Sequence, residues 1–167
     1  MLKKIEIFFD KFNIILGKIL AFILILMILN VFYDVVMRYF FHNSSVGMQE
    51  LEWHLFSLVI LFGMSYSLLE EGHVRVDFVY ENLSKRKKAY INIFGTLFFI
   101  VPLAILVAFG SFEFVNDAYI SNEISEDPGG LHYRWIIKSM IPIAFFTLIF
   151  TSIGYMIKNI NIIKEAT

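Results

Sequence analysis

The densest group of side chains able to do chemistry is Gln49-Glu50-Leu51-Glu52-Trp53-His54. Two carboxylates and an imidazole at i, i+2 and i+4 can be drawn as a zinc site, but the spacing is generic. Glu50 and His54, four apart, equally suit the surface of a helix. A second group, His73-Val74-Arg75-Val76-Asp77, alternates polar and apolar residues. The histidines are His42, His54, His73 and His132, and none is central in an apolar stretch. A membrane cytochrome holds its haem between histidines inside a bundle, so haem is not expected. The chain has no cysteine, which excludes disulfides, thiolate metal sites and thiol catalysis. It has no G-x-S-x-G, no phosphate loop and no HExxH. These residues make no positive case for an enzyme, a metal or a cofactor, and none is expected.

The elements that must carry these groups are unusual. Ile19–Tyr33, Leu55–Leu69, Ala89–Phe112 and Ser139–Ile157 contain no Asp, Glu, Lys, Arg or His. As helices, the longer runs match a bilayer core of roughly 30 Å, and the shorter ones reach it if flanking residues such as Lys18 snorkel. The expected fold is an all-α integral membrane protein with four transmembrane helices and short interfacial helices. Residues 1–167 then form a single membrane domain with spans near 14–36, 52–70, 89–113 and 138–158.

Composition agrees. Hydrophobic residues make up 58% of the 167, phenylalanine alone occurs 19 times, and mean hydropathy is +0.70, far above a soluble domain. The net charge of −1 points to no partner. No basic patch with interleaved aromatics is present, so nucleic acid is not expected as a partner, whereas lipid is. Asn30, Val31 and Phe32 stand near the end of the first run, where a signal-peptidase site would need small residues, so a retained first helix is expected.

Basic residues are distributed unevenly. Eleven of the fourteen fall before the first span, between the second and third, or after the fourth, with Lys85, Arg86, Lys87 and Lys88 clustered. The positive-inside rule puts those segments, and both termini, in the cytoplasm. The external connection before helix four is acidic, with Glu113, Asp117, Glu123, Glu126 and Asp127.

Local signals fill in the path. Ile5, Phe8, Phe9 and Phe12 recur at helical spacing, which fits either an interfacial segment or the cytoplasmic end of helix one. Asn30, Asp34 and Arg38 share one face, with Asp34 and Arg38 placed for an ion pair at a well-made helix end. Ser44 or Ser45 can cap helix two, and its early acids suit the helix dipole. A short interfacial helix is expected between Glu70 and Lys88. Pro102 should kink helix three, Glu126–Gly130 forms a turn, and Pro142 falls in the first turns of helix four, where proline is tolerated. Small residues form stripes at Ala104, Ala108 and Ser111, at Ala144, Thr147, Thr151 and Gly154, and at Gly63 and Ser67. Such stripes let helices approach closely in lipid, and internal packing of the bundle accounts for them.

Ionisable residues are missing at mid-depth in every span, as are inverted repeats and paired half-helices. Ion-coupled carriers need such features, so this chain is not expected to move a solute alone. A membrane anchor of a redox enzyme and a stand-alone four-helix carrier are the competing readings.

The polar stretches resemble the small membrane subunit of tripartite ATP-independent periplasmic (TRAP) transporters. The resemblance rests on Gln49-Glu50-Leu51-Glu52-Trp53, Gly63, Glu71-Gly72-His73-Val74-Arg75-Val76-Asp77, Asp127-Pro128-Gly129-Gly130-Leu131 and Ile141-Pro142-Ile143-Ala144-Phe145. It implies a non-catalytic subunit in the bacterial inner membrane. Its partners would be a large membrane subunit that carries organic acid and sodium, and a periplasmic substrate-binding protein that docks transiently. The small subunit would brace the large one. By the same resemblance, Glu50, Glu52 and Trp53 anchor the outer start of helix two, and His73, Arg75 and Asp77 fix its cytoplasmic end.

Overall fold

Long apolar stretches with few helix breakers leave the backbone one economical way to satisfy its own polar groups, which is the α-helix. A computed structural model describes residues 2–70, 80 and 83–165. Among these residues lie four helices long and apolar enough to cross a membrane, and no strand. They are α1 (Leu2–Phe40), α2 (Val46–Leu69), α3 (Lys85–Ile120) and α4 (Arg134–Glu165). The protein is therefore an all-α, multi-pass membrane protein.

Helix α1 runs unbroken from Leu2, so the N-terminal aromatic segment is the first part of the helix and not a separate interfacial element. Its 39 residues make it about 58 Å long, well beyond a bilayer core. His42, at φ 53°, ends it by turning the chain, and the Asn43 N–H caps the Met37 carbonyl at 3.1 Å. Ser45 stands at the N-cap of α2, but its side chain makes no capping bond; its carbonyl accepts from Met48 and Gln49 instead. The first turn of α2 carries no acid, since Glu50 and Glu52 fall in the second, so the dipole argument for them does not hold.

Proline acts differently in the two helices that contain it. In α3, Pro102 has no N–H to offer, and the preceding stretch Thr96–Ile100 rewinds into a π turn in which the Val101 N–H reaches the Thr96 carbonyl. Pro142 lies in the interior of α4, not in its first turns, because the helix begins at Arg134. It is buried there.

The helices pack in the order α1, α2, α4, α3, with the N-terminal part of α1 also reaching α4. Their contact seams are small. Ala104 and Ala108 of α3 and Ala144 and Thr151 of α4 are completely buried. The stripes on α3 and α4 thus pack the bundle internally. Gly63 does not take part, since a methyl added there would meet no atom within 4 Å. The outward faces remain apolar: Ile14, Phe22, Ile28 and Phe32 on α1 and Phe98, Phe99 and Leu106 on α3 are exposed. In water such faces would aggregate; in a bilayer they are the proper boundary.

Candidate functional site

Helix α3 ends in a Schellman motif. Asn122 takes a left-handed φ of 48°, while the Glu123 N–H bonds the Ala118 carbonyl at 3.0 Å and the Asn122 N–H bonds Tyr119 at 3.2 Å. The chain then folds back on itself. The Arg134 N–H donates to Glu123, Ser125 to Leu131 and Gly130 to Asp127, at 3.1, 3.2 and 3.0 Å. Pro128 followed by Gly129 at φ 85° fits the type II turn, whose third residue needs positive φ. The turn expected at 126–130 is present.

Glu50 joins this loop to α2. Its Oε1 accepts from the Ser125 hydroxyl, and its Oε2 accepts the Leu131 N–H at 2.5 Å. Gly130 has to lack a side chain, since a methyl there would collide with Ser125 and stand 2.8 Å from Glu50 Oε2. One turn earlier, a methyl on Gly47 would come within 3.3 Å of the Gly129 carbonyl. The Lys138 ammonium pairs with Glu123 and sits 4.0 Å from the centre of the Phe114 ring, tying the loop to α3 and α4. The result is a hydrogen-bonded platform at one end of the bundle. A cleft of about 250 Å³ in it is lined by Gln49, Glu50, Trp53, His54, Asp127 and Arg134.

Of the expected site residues, Glu50 is built into the loop, and its carboxylate holds the Ser125 hydroxyl and the Leu131 backbone N–H. Glu52 is half-buried and makes no hydrogen bond or ion pair among the described residues. Trp53 is 68% exposed and meets Phe56 edge-on, so its indole is offered outward. His73, Arg75 and Asp77, together with the interfacial helix expected around them, lie outside the described residues.

The opposite end of the bundle is held by amide chemistry that reading the charged residues alone overlooked. Asn13, 2% exposed, donates to Glu70 at 2.9 Å. Asn92 donates to Asn159 at 2.9 Å, Asn159 donates to the Tyr155 carbonyl, and the Tyr80 hydroxyl donates to Asn92. Asn161 bonds Glu6, and Lys3 meets Glu165 at 2.7 Å. The available signal was asparagine placed inside or beside apolar runs, where an amide without a partner is costly. At the platform end, Asn30 likewise donates to the Met48 carbonyl at 2.9 Å, and Asp34, 3% exposed, pairs with Arg38. That pairing is the expected helix-end ion pair.

This arrangement holds helices together and presents surfaces; Asn13, Asn30, Asn92 and Asn159 make their hydrogen bonds across helix seams. Among curated proteins the chain is similar to the "Sialic acid TRAP transporter permease protein SiaT" of Haemophilus influenzae (strain 86-028NP), with 28% identity over 115 residues. The match covers 69% of this chain and 18% of that relative, so the chain spans about a fifth of the relative's length. The family model for the DctQ component of tripartite ATP-independent periplasmic transporters matches residues 27–161, from the middle of α1 almost to the end of α4. The matched region takes in the Glu50 platform and the α2–α4 and α3–α4 seams, and the chain belongs to that transporter family as its DctQ component.

Proposed function

We propose that this chain is the small permease subunit of a sodium-driven transporter for organic acids, bracing a large subunit that carries both solute and sodium. The observation that carries the reading is the family match over residues 27–161, in a chain whose apolar runs hold no ionisable residue at mid-depth. Without such a residue the spans have no group to couple an ion gradient. The relative's printed name supports an acidic solute, since sialic acid carries a carboxylate. The family match supports a bacterial inner-membrane location, and the uneven basic residues support cytoplasmic termini, with the Glu50 platform outside in this reading.

In this reading Glu50 holds the external loop, and Glu52 and Trp53 on the same helix start face the large subunit. His73, Arg75 and Asp77 fix the cytoplasmic connection. A periplasmic binding protein visits the platform transiently, and lipid covers the remaining apolar faces.

The test is uptake of radiolabelled carboxylic acids into proteoliposomes holding this chain, its large co-purifying membrane protein and the binding protein. Uptake should need all three and an inward sodium gradient. Trp53→Ala should leave the chain folded while lowering recovery of the large protein. Uptake by this chain alone would replace the proposal with the carrier reading, and a haem spectrum in the purified complex would replace it with the redox anchor.

A further inference from the structure

Four consecutive cations, Lys85, Arg86, Lys87 and Lys88, open α3 at the end of the bundle opposite the Glu50 platform. The first three are exposed and Lys88 is half-buried, its ammonium 5.0 Å from the centre of the Tyr80 ring. None of the four makes an ion pair with a described residue. A cavity of about 610 Å³ opens beside them, lined by Tyr80, Lys85, Lys88, Asn92, Asn159 and Glu165 among others. Among the described residues Glu165 is the one carboxylate in that lining, and its partner is Lys3 at 2.7 Å. No described carboxylate therefore neutralises Lys85 or Lys88 within the cavity. Its polar wall is the Asn92–Asn159 amide pair.

The lipid-facing surface starts immediately afterwards. Tyr90, Ile91, Phe94, Leu97 and Phe98 are exposed, and the Phe94 and Phe98 rings lie 4.6 Å apart. With 1.5 Å of rise per residue, Lys88 stands only about 9 Å along the helix from Phe94. That is the depth of phosphate-bearing headgroups and not of bulk water.

We infer that the cavity at Lys85 and Lys88 receives the phosphate of an anionic membrane phospholipid. Its acyl chains lie on the apolar surface that begins at Tyr90 and Ile91. Cations directly beside a span that no described carboxylate pairs with attract anionic headgroups, and the cavity turns that attraction into a site. The inference stands on this end of the bundle alone and does not depend on the transport reading.

The test is native mass spectrometry of the delipidated full-length chain in detergent, titrated in parallel with phosphatidylglycerol, phosphatidylcholine and inorganic phosphate. Phosphatidylglycerol should bind in preference to phosphatidylcholine, and millimolar phosphate should not displace it. Lys85→Gln/Lys88→Gln should weaken phosphatidylglycerol binding roughly 30-fold. Lys85→Arg/Lys88→Arg should keep it, and Lys4→Gln/Lys11→Gln, which removes equal charge from α1, should change it little. Equal weakening by the Lys4/Lys11 pair would overturn the site in favour of a diffuse basic surface. Displacement by phosphate would reassign the cavity to the free anion. If the glutamine pair fails to fold, the native chain decides: phosphatidylglycerol binding no tighter than phosphatidylcholine overturns the inference.

Discussion

Glu50 accepts the backbone N–H of Leu131 at 2.5 Å, although 81 positions separate them in the chain. This contact, together with the Ser125 hydroxyl on the other carboxylate oxygen, makes one side chain of α2 the anchor of the whole α3–α4 connection. Two segments that stand out in the sequence for different reasons, Gln49–Trp53 and Asp127–Leu131, are the two halves of one structure.

Replacing Glu50 with Ala should therefore destabilise the chain by about 1–3 kcal/mol, because a serine hydroxyl and a backbone N–H lose a charged acceptor together. Glu50→Gln keeps one acceptor oxygen and should cost less. Thermal unfolding in detergent ranks the two variants, and amide exchange at Leu131 should accelerate in both. An unchanged exchange rate at Leu131 would refute the anchor.

Glycine substitutions should separate sharply by position. A methyl on Gly154 would run into the Phe9 ring, whereas one on Gly63 meets nothing within 4 Å. Gly154→Ala should cost about 1–3 kcal/mol as overpacking, and Gly63→Ala should be close to neutral. Trimming Phe9 to Leu in the Gly154→Ala background should restore part of the loss, measured as a double-mutant cycle on unfolding temperature.

The Asn92–Asn159 bond links α3 to α4 where both are buried or half-buried. A double-mutant cycle with alanine at both positions should return a coupling of about 0.6 kcal/mol, the usual worth of a hydrogen bond between membrane helices. Each single substitution should cost more than that coupling, since it leaves the other amide one hydrogen bond short in the helix seam. A coupling indistinguishable from zero would mean that the bond does not form in the membrane.

Asp34 is nearly fully buried, while the Arg38 side chain is 48% exposed, so the two halves of their ion pair are not equivalent. Arg38→Gln strands a buried carboxylate and should destabilise the chain by more than the roughly 0–1 kcal/mol of an exposed pair. Asp34→Asn removes the buried charge and should cost less, and combining the two should recover stability relative to Arg38→Gln. Chemical denaturation of the three variants gives the order directly.

The sequence alone determined the four helices, their membrane character and the family. Runs such as Ala89–Phe112 leave no other way to satisfy the backbone in lipid, and the polar motifs between runs are distinctive. It also determined the turn at Asp127–Gly130, because proline followed by glycine specifies a turn wherever it occurs. Other features were decided only in three dimensions. No local signal says that Glu50 faces Ser125 and Leu131 and not His54, since a carboxylate reads the same in sequence whether it binds a metal, a solute or a loop. The π turn at Thr96–Ile100 depends on how α3 accommodates Pro102, and Pro142 proved interior only once α4 was seen to start at Arg134. Asn13, Asn92 and Asn159 find their partners 57 and 67 residues away. Spacing along a helix tells which residues share a face; which neighbour that face meets is set by the packing of four helices against one another.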